Sequence, residues 1–174
     1  DLAALRGRID PGGEAAEELI DPREQLPSLG DLRDLARFHG QLAAGLRRIN
    51  ISLDTLRPDR FRRITRFGEI TDVRRGITAS LEAGLDPVKL NMVVMRGVND
   101  DEVADLAALT RSLPVEVRFI ELMPIGDYFS REKLVPAAEI LDSVERLGTL
   151  SPAASGAGCG PARTFRLPDA RGKI

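Results

Sequence analysis

Scarcity is the first property of this sequence: it has no tryptophan, one tyrosine, one histidine and one cysteine in 174 residues. The lone cysteine, Cys159, excludes an internal disulfide framework and any multi-cysteine metal site built by this chain by itself. A surplus of one charge is also lacking. The formal charge is −2, which gives no basic face for nucleic acid, and 43% apolar against 30% charged residues excludes a disordered composition. No apolar run approaches the roughly 18 residues of a membrane span, and no charged-then-apolar leader follows Asp1. The expectation is a cytoplasmic globular protein without a membrane partner. Lysine is the most informative scarcity, because Lys89, Lys133 and Lys173 are the only three among 25 lysines and arginines together. Where a lysine stands is then a question about chemistry. Length sets a last bound: 174 residues hold one ordinary core, whereas a complete α/β barrel takes about 200–250.

What is present is a repeating strand-helix unit. Over Arg47 to Asp54, Ile49, Ile51 and Leu53 alternate with Asn50, Ser52 and Asp54, which predicts a strand with one apolar and one small polar face. The chain enters it from Ala44-Gly45-Leu46 and leaves through Arg57-Pro58-Asp59, a helix end and a helix start. Ala83-Gly84-Leu85 repeats the first of these 39 residues later. A second strand, Pro87 to Met95, puts Val88, Leu90, Met92 and Val94 on one face, and Lys89 and Asn91 on the other with Val93 and Met95. A third is expected over Val115 to Leu122. There Arg118 and Met123 have opposite parity, so a bulge or a strand end must precede Met123.

Helices are expected from Asp31 to Gly45, from Pro58 to Phe67, from Thr71 to Ala83, from Asn99 to Pro114 and from Pro136 to Leu147. Asn99 with Glu102 three residues on has the spacing of a capping box. His39, beside the apolar stripe of the first of these helices, is a surface histidine with no partner suited to catalysis nearby in sequence. Ser151 to Pro161 reads as a flexible connection, Thr164 to Leu167 as the start of a strand, and the first thirty residues as irregular.

Parallel strands are covered by helices, so a recurring polar face needs the interior of a small barrel used as a binding site. Ser52, Lys89 and Arg118 would then meet in one partly desolvated space and suit an anion such as phosphate. Two other readings stay open. Lys89 snorkels from a strand end while Arg118 pairs with Glu116 or Glu121, or Lys89 is a Schiff-base nucleophile among apolar neighbours. No glycine-rich phosphate loop and no nucleophile-elbow serine is present.

Several long motifs occur in one order: Arg48-Ile49-Asn50-Ile51-Ser52-Leu53-Asp54-Thr55-Leu56 with Pro58-Asp59-Arg60-Phe61, Pro87-Val88-Lys89-Leu90-Asn91 with Arg96-Gly97-Val98-Asn99-Asp100, and Arg118-Phe119-Ile120-Glu121-Leu122-Met123-Pro124. With Gly160-Pro161-Ala162-Arg163 and Arg166-Leu167-Pro168 further on, the sequence resembles the GTP 3′,8-cyclases, radical S-adenosylmethionine (SAM) enzymes that rearrange GTP at the start of molybdopterin cofactor synthesis. The resemblance implies an α/β fold, an incomplete radical-SAM (βα)6 TIM-like barrel over residues 31–134, with 135–174 forming a helix and the start of a C-terminal extension and 1–30 a degenerate N-terminal segment. It further implies S-adenosylmethionine and two [4Fe-4S] clusters as cofactors in the full-length family, and a radical, made by reductive cleavage of S-adenosylmethionine, that takes hydrogen from the ribose of GTP. By matching motif, Ser52 and Met123 would contact S-adenosylmethionine, and Lys89 and Arg118 would contact GTP. The family's Cys-x3-Cys-x2-Cys run has no counterpart here, Ala15 stands where Gly12-Gly13-Glu14 would be followed by proline, and Pro27-Ser28-Leu29-Gly30 departs from the expected strand end. The resemblance therefore implies no metal ligand and no catalytic residue in this chain, which is expected to be inactive alone. A related radical enzyme with another substrate, or a non-catalytic remnant that binds a nucleotide or a partner, stays open, with homodimerisation through an exposed barrel edge.

Overall fold

The computed structural model describes residues 43–125, 129–154 and 162–174. The expectations for the first thirty residues, for the helix from Asp31 carrying His39 and for the loop of Cys159 lie outside them.

Three strands, β1 (Ile49–Ser52), β2 (Val88–Val94) and β3 (Val115–Glu121), form a parallel sheet in sequential order. Two helices, α1 (Pro58–Thr65) and α2 (Ile70–Glu82), carry the chain from β1 to β2. A short 3₁₀ turn at Asp100–Glu102 and helix α3 (Val103–Ser112) carry it to β3, and α4 (Ala137–Glu145) follows. This is the expected α/β arrangement of an incomplete TIM-like barrel. Pro58, with its preset φ and no N–H to satisfy, opens α1, and Arg66 closes it in the left-handed region at φ 66°.

The period-2 pattern decides which face of the sheet is covered. Val88, Leu90, Met92 and Val94 are fully buried and share one core with Ile77 of α2 and Leu106 of α3. Burying such side chains stabilises the fold by about 1.5–3 kcal/mol each, so the register of β2 is strongly fixed, because a slip of one residue would drive Lys89 and Asn91 into that core. β3 ends at Glu121, which resolves the parity conflict by a strand end and leaves Met123 outside the ladder.

Beyond α4 the structure departs from a flexible connection. Ser151–Pro152 form strand β4, antiparallel to β5 (Phe165–Arg166), so the residues at the start of that stretch are spent on a ladder, while Phe165 does begin the expected strand. The chain then reaches the outer edge of β3, where Lys173 N–H donates to Val115 O at 2.9 Å and Val117 N–H donates to Lys173 O at 2.9 Å. A Cβ on Gly172 would lie 2.1 Å from Val115 O, so only glycine permits this approach. The tail thus covers the lower part of an edge that the sequence left open. No helix among the described residues is long and apolar enough to cross a membrane.

Candidate ligand-binding face

The register of the sheet brings the expected polar residues onto one surface. Asn50, Lys89 and Glu116 are aligned across β1, β2 and β3, and Ser52, Asn91 and Arg118 form the next polar row toward the C-terminal strand ends. Ser52 and Lys89 therefore lie on the same side of the sheet, opposite the helix-packed core. In parallel α/β barrels the C-terminal ends of the strands are where ligands bind. Ser52 is exposed, Lys89, Asn91 and Arg118 are partly buried, and Met123 lies two residues past β3 with 57% of its surface exposed. The structure brings Ser52, Lys89 and Arg118 together and leaves Met123 beyond the strand end.

The electrostatics are uneven. Glu116 Oε1 accepts a hydrogen bond from Arg118 Nε at 2.7 Å and lies 3.7 Å from Lys89 Nζ. The sequence left two partners for Arg118, and the structure chooses Glu116. Glu121 is engaged elsewhere, its Oε1 accepting from Ala137 N–H at 2.6 Å where α4 begins. Among the described residues, Glu116 is the carboxylate that faces both cations in this partly buried space. The counter-charge beside Lys89 also removes the one-sided apolar surroundings that a Schiff-base lysine requires. Two polar atoms of the upper row, Asn91 Oδ1 and Arg118 Nη2, are buried without a hydrogen-bond partner among the described residues. Leaving a buried polar atom unsatisfied costs about 1–3 kcal/mol; Arg118 Nη2 would recover it by donating to an anionic ligand, and Asn91 Oδ1 by accepting from a ligand N–H or O–H. Asn91 was legible as a residue facing the lumen but not as a site residue, since only the sheet register aligns it with Ser52 and Arg118.

Above this row a second polar cluster behaves differently. Asn99, fully buried, donates from Nδ2 to Asp54 O at 2.8 Å and to Val93 O at 2.9 Å, and its Oδ1 accepts from Met95 N–H at 2.7 Å. Asp54 Oδ1 accepts from Val93 N–H at 2.8 Å. Glu102, also fully buried, accepts from Thr55 Oγ1 and Leu56 N–H, both at 2.6 Å, and from the Arg60 guanidinium. The capping-box expectation for Asn99 and Glu102 is overturned, because neither side chain caps the helix it precedes. Both are committed to the strand ends and the loop after β1, up to 47 residues away in sequence. Burial raises the Asp54 carboxyl above its ordinary value of 3.8, partly offset by the Val93 N–H bond. The hydrogen bond from Arg60 holds Asp101 below its ordinary value.

The groups implied by the family resemblance fit this chain unequally. Lys89 and the free N–H of Arg118 suit phosphate oxygens, and Asn91 Oδ1 suits a donor group elsewhere on the same ligand. An iron-sulfur cluster requires several thiolates, and one cysteine among 174 residues does not supply them. No group of three or more metal-ligating side chains occurs among the described residues.

Comparison with known proteins agrees with the fold. The profile of the radical SAM superfamily matches residues 27–110. A GTP 3′,8-cyclase of Pelotomaculum thermopropionicum is 52% identical over 168 residues, covering 91% of this chain and 52% of the relative. A GTP 3′,8-cyclase of Moorella thermoacetica is 54% identical over 143 residues, covering 79% and 44%. One from Heliobacterium modesticaldum is 67% identical over 98 residues, covering 56% and 30%. The chain spans about half the length of the curated relatives it matches.

Proposed function

We propose that this chain, whose residues 27–110 match the radical SAM superfamily profile, carries the nucleotide-binding strands of a GTP 3′,8-cyclase of molybdopterin biosynthesis. The observation that carries this reading is the row of Ser52, Asn91 and Arg118, with Lys89 below it, on one face of a parallel sheet, where Asn91 Oδ1 and Arg118 Nη2 have no hydrogen-bond partner among the described residues. Lys89 presents a compact charge and Arg118 a planar fork to the phosphate oxygens of GTP. Glu116 holds both cations in place before the ligand arrives, which lowers the ordering cost of binding. Ser52 and Met123 face the adenosyl ligand in this reading. S-adenosylmethionine would supply the hydrogen-abstracting chemistry in the full-length family, where a cluster that this chain's residues do not fit would reduce it. The task of these residues is to bind, orient and keep water from the reacting ends.

With one cysteine, this chain alone binds nucleotide without completing the reaction. Incubated with iron, sulfide, reductant, S-adenosylmethionine and GTP, it forms no 5′-deoxyadenosine above a control without protein, and formation above that control contradicts the reading. GTP protects Lys89 from acylation, whereas protection by a peptide and not by GTP would point to a related radical enzyme with another substrate.

A further inference from the structure

We propose that Asn99 and Glu102 are positioning residues for the ligand-binding face, holding the ends of β1 and β2 so that Ser52 and the upper part of β2 address one ligand; this rests on the nucleotide reading above. The last backbone rung between the two strands is Leu53 N–H to Asn91 O at 2.9 Å. Beyond it the strands are joined by side chains. Asp54 Oδ1 takes the Val93 N–H, and the Asn99 amide bridges Asp54 O, Val93 O and Met95 N–H with three hydrogen bonds of 2.7–2.9 Å. Asn99 therefore substitutes for two strands' worth of missing ladder partners at the mouth of the site. Glu102 acts on one side only. Its carboxylate is held by Thr55, Leu56 and Arg60, all in the segment that follows β1, and it makes no hydrogen bond to β2.

This division of labour gives an asymmetric expectation. Loss of Asn99 frees both strand ends, whereas neutralising Glu102 loosens only the loop behind Ser52. Small displacements of binding groups weaken ligands severely, so a positioning role has a reading distinct from general destabilisation.

The experiment uses the isotopically labelled chain, with amide chemical shifts and calorimetric GTP titration referred to the folded fraction. Asn99→Ala shifts the amides of both Ser52 and Asn91 and weakens GTP by roughly tenfold. Glu102→Gln shifts Ser52 but not Asn91, and GTP affinity stays within about twofold. Asn99→Ser, which keeps a short uncharged group able to donate or accept, replaces the alanine variant if that one does not fold. Wild-type shifts at Ser52 and Asn91 in both variants, or undiminished GTP affinity of folded Asn99→Ala, overturn the proposal. If the unaltered chain binds no GTP, the nucleotide reading fails, and the amide shifts alone decide whether Asn99 and Glu102 position the face.

Discussion

Two polar clusters stand within a few residues of each other at the top of this sheet, and they differ in one respect. Around Asn99 and Glu102 the buried polar atoms find partners inside the chain. Around Asn91 and Arg118 two find none among the described residues. Buried polar groups are ordinarily hydrogen-bonded, so a satisfied cluster serves the architecture and an unsatisfied one is available to a ligand. The same contrast separates the two faces of β2, whose covered side is fully buried and apolar and whose other side, with Lys89, Asn91 and Val93, is only partly buried.

The sharpest way to break this comparison is to open the satisfied cluster. Asn99→Ala leaves Asp54 O, Val93 O and Met95 N–H without their partner and is expected to lower stability by about 2–4 kcal/mol, read from the urea midpoint. A loss below about 0.5 kcal/mol would mean that the cluster is no more structural than the open row. The converse substitution is gentler. Asn91→Leu replaces an unsatisfied amide by an apolar group of similar size and is expected to change stability by less than about 1 kcal/mol, in the stabilising direction, while weakening GTP binding. Strong destabilisation would show that Asn91 already has a structural partner.

Smaller still is the effect of pH through Asp54. Its folded-state value is raised, so its contribution to stability is fully present below the ordinary value of 3.8 and is lost as pH rises through the folded value. Asp54→Asn keeps an acceptor for the Val93 N–H and removes the buried charge. It is therefore expected to melt at a higher temperature than the parent at neutral pH, with the gain closing as pH falls below 3.8. A gain that persists in acid contradicts burial as the cause.

Much of this arrangement was legible before any coordinates, and for a local reason. Alternation along Ile49 to Asp54 and Val88 to Val94 fixes which side chains share a face, and parallel order then follows from the helices between the strands. That logic put Ser52, Lys89 and Arg118 on one surface. It failed where identity of spacing hides identity of partner. Asn99 and Glu102 have the three-residue separation of a capping box, yet their partners lie at Asp54, Thr55, Leu56 and Arg60, which no local pattern encodes. Ser151 and Pro152 resemble a loose connection in sequence, because their pairing with Phe165 and Arg166 depends on a return of the chain that composition does not show. The unsatisfied state of Asn91 was likewise invisible, because it belongs to three aligned strands and not to one.

The central claim is that the charged row on the open face binds the phosphates of GTP. Calorimetric titration of GTP into the chain and into Lys89→Ala, both folded by circular dichroism, tests it most directly. The account predicts saturable binding to the parent and a loss of roughly 10–100-fold in the variant, the worth of a charge-assisted phosphate contact. Equal affinity for both proteins, or no binding to the parent at all, would contradict it.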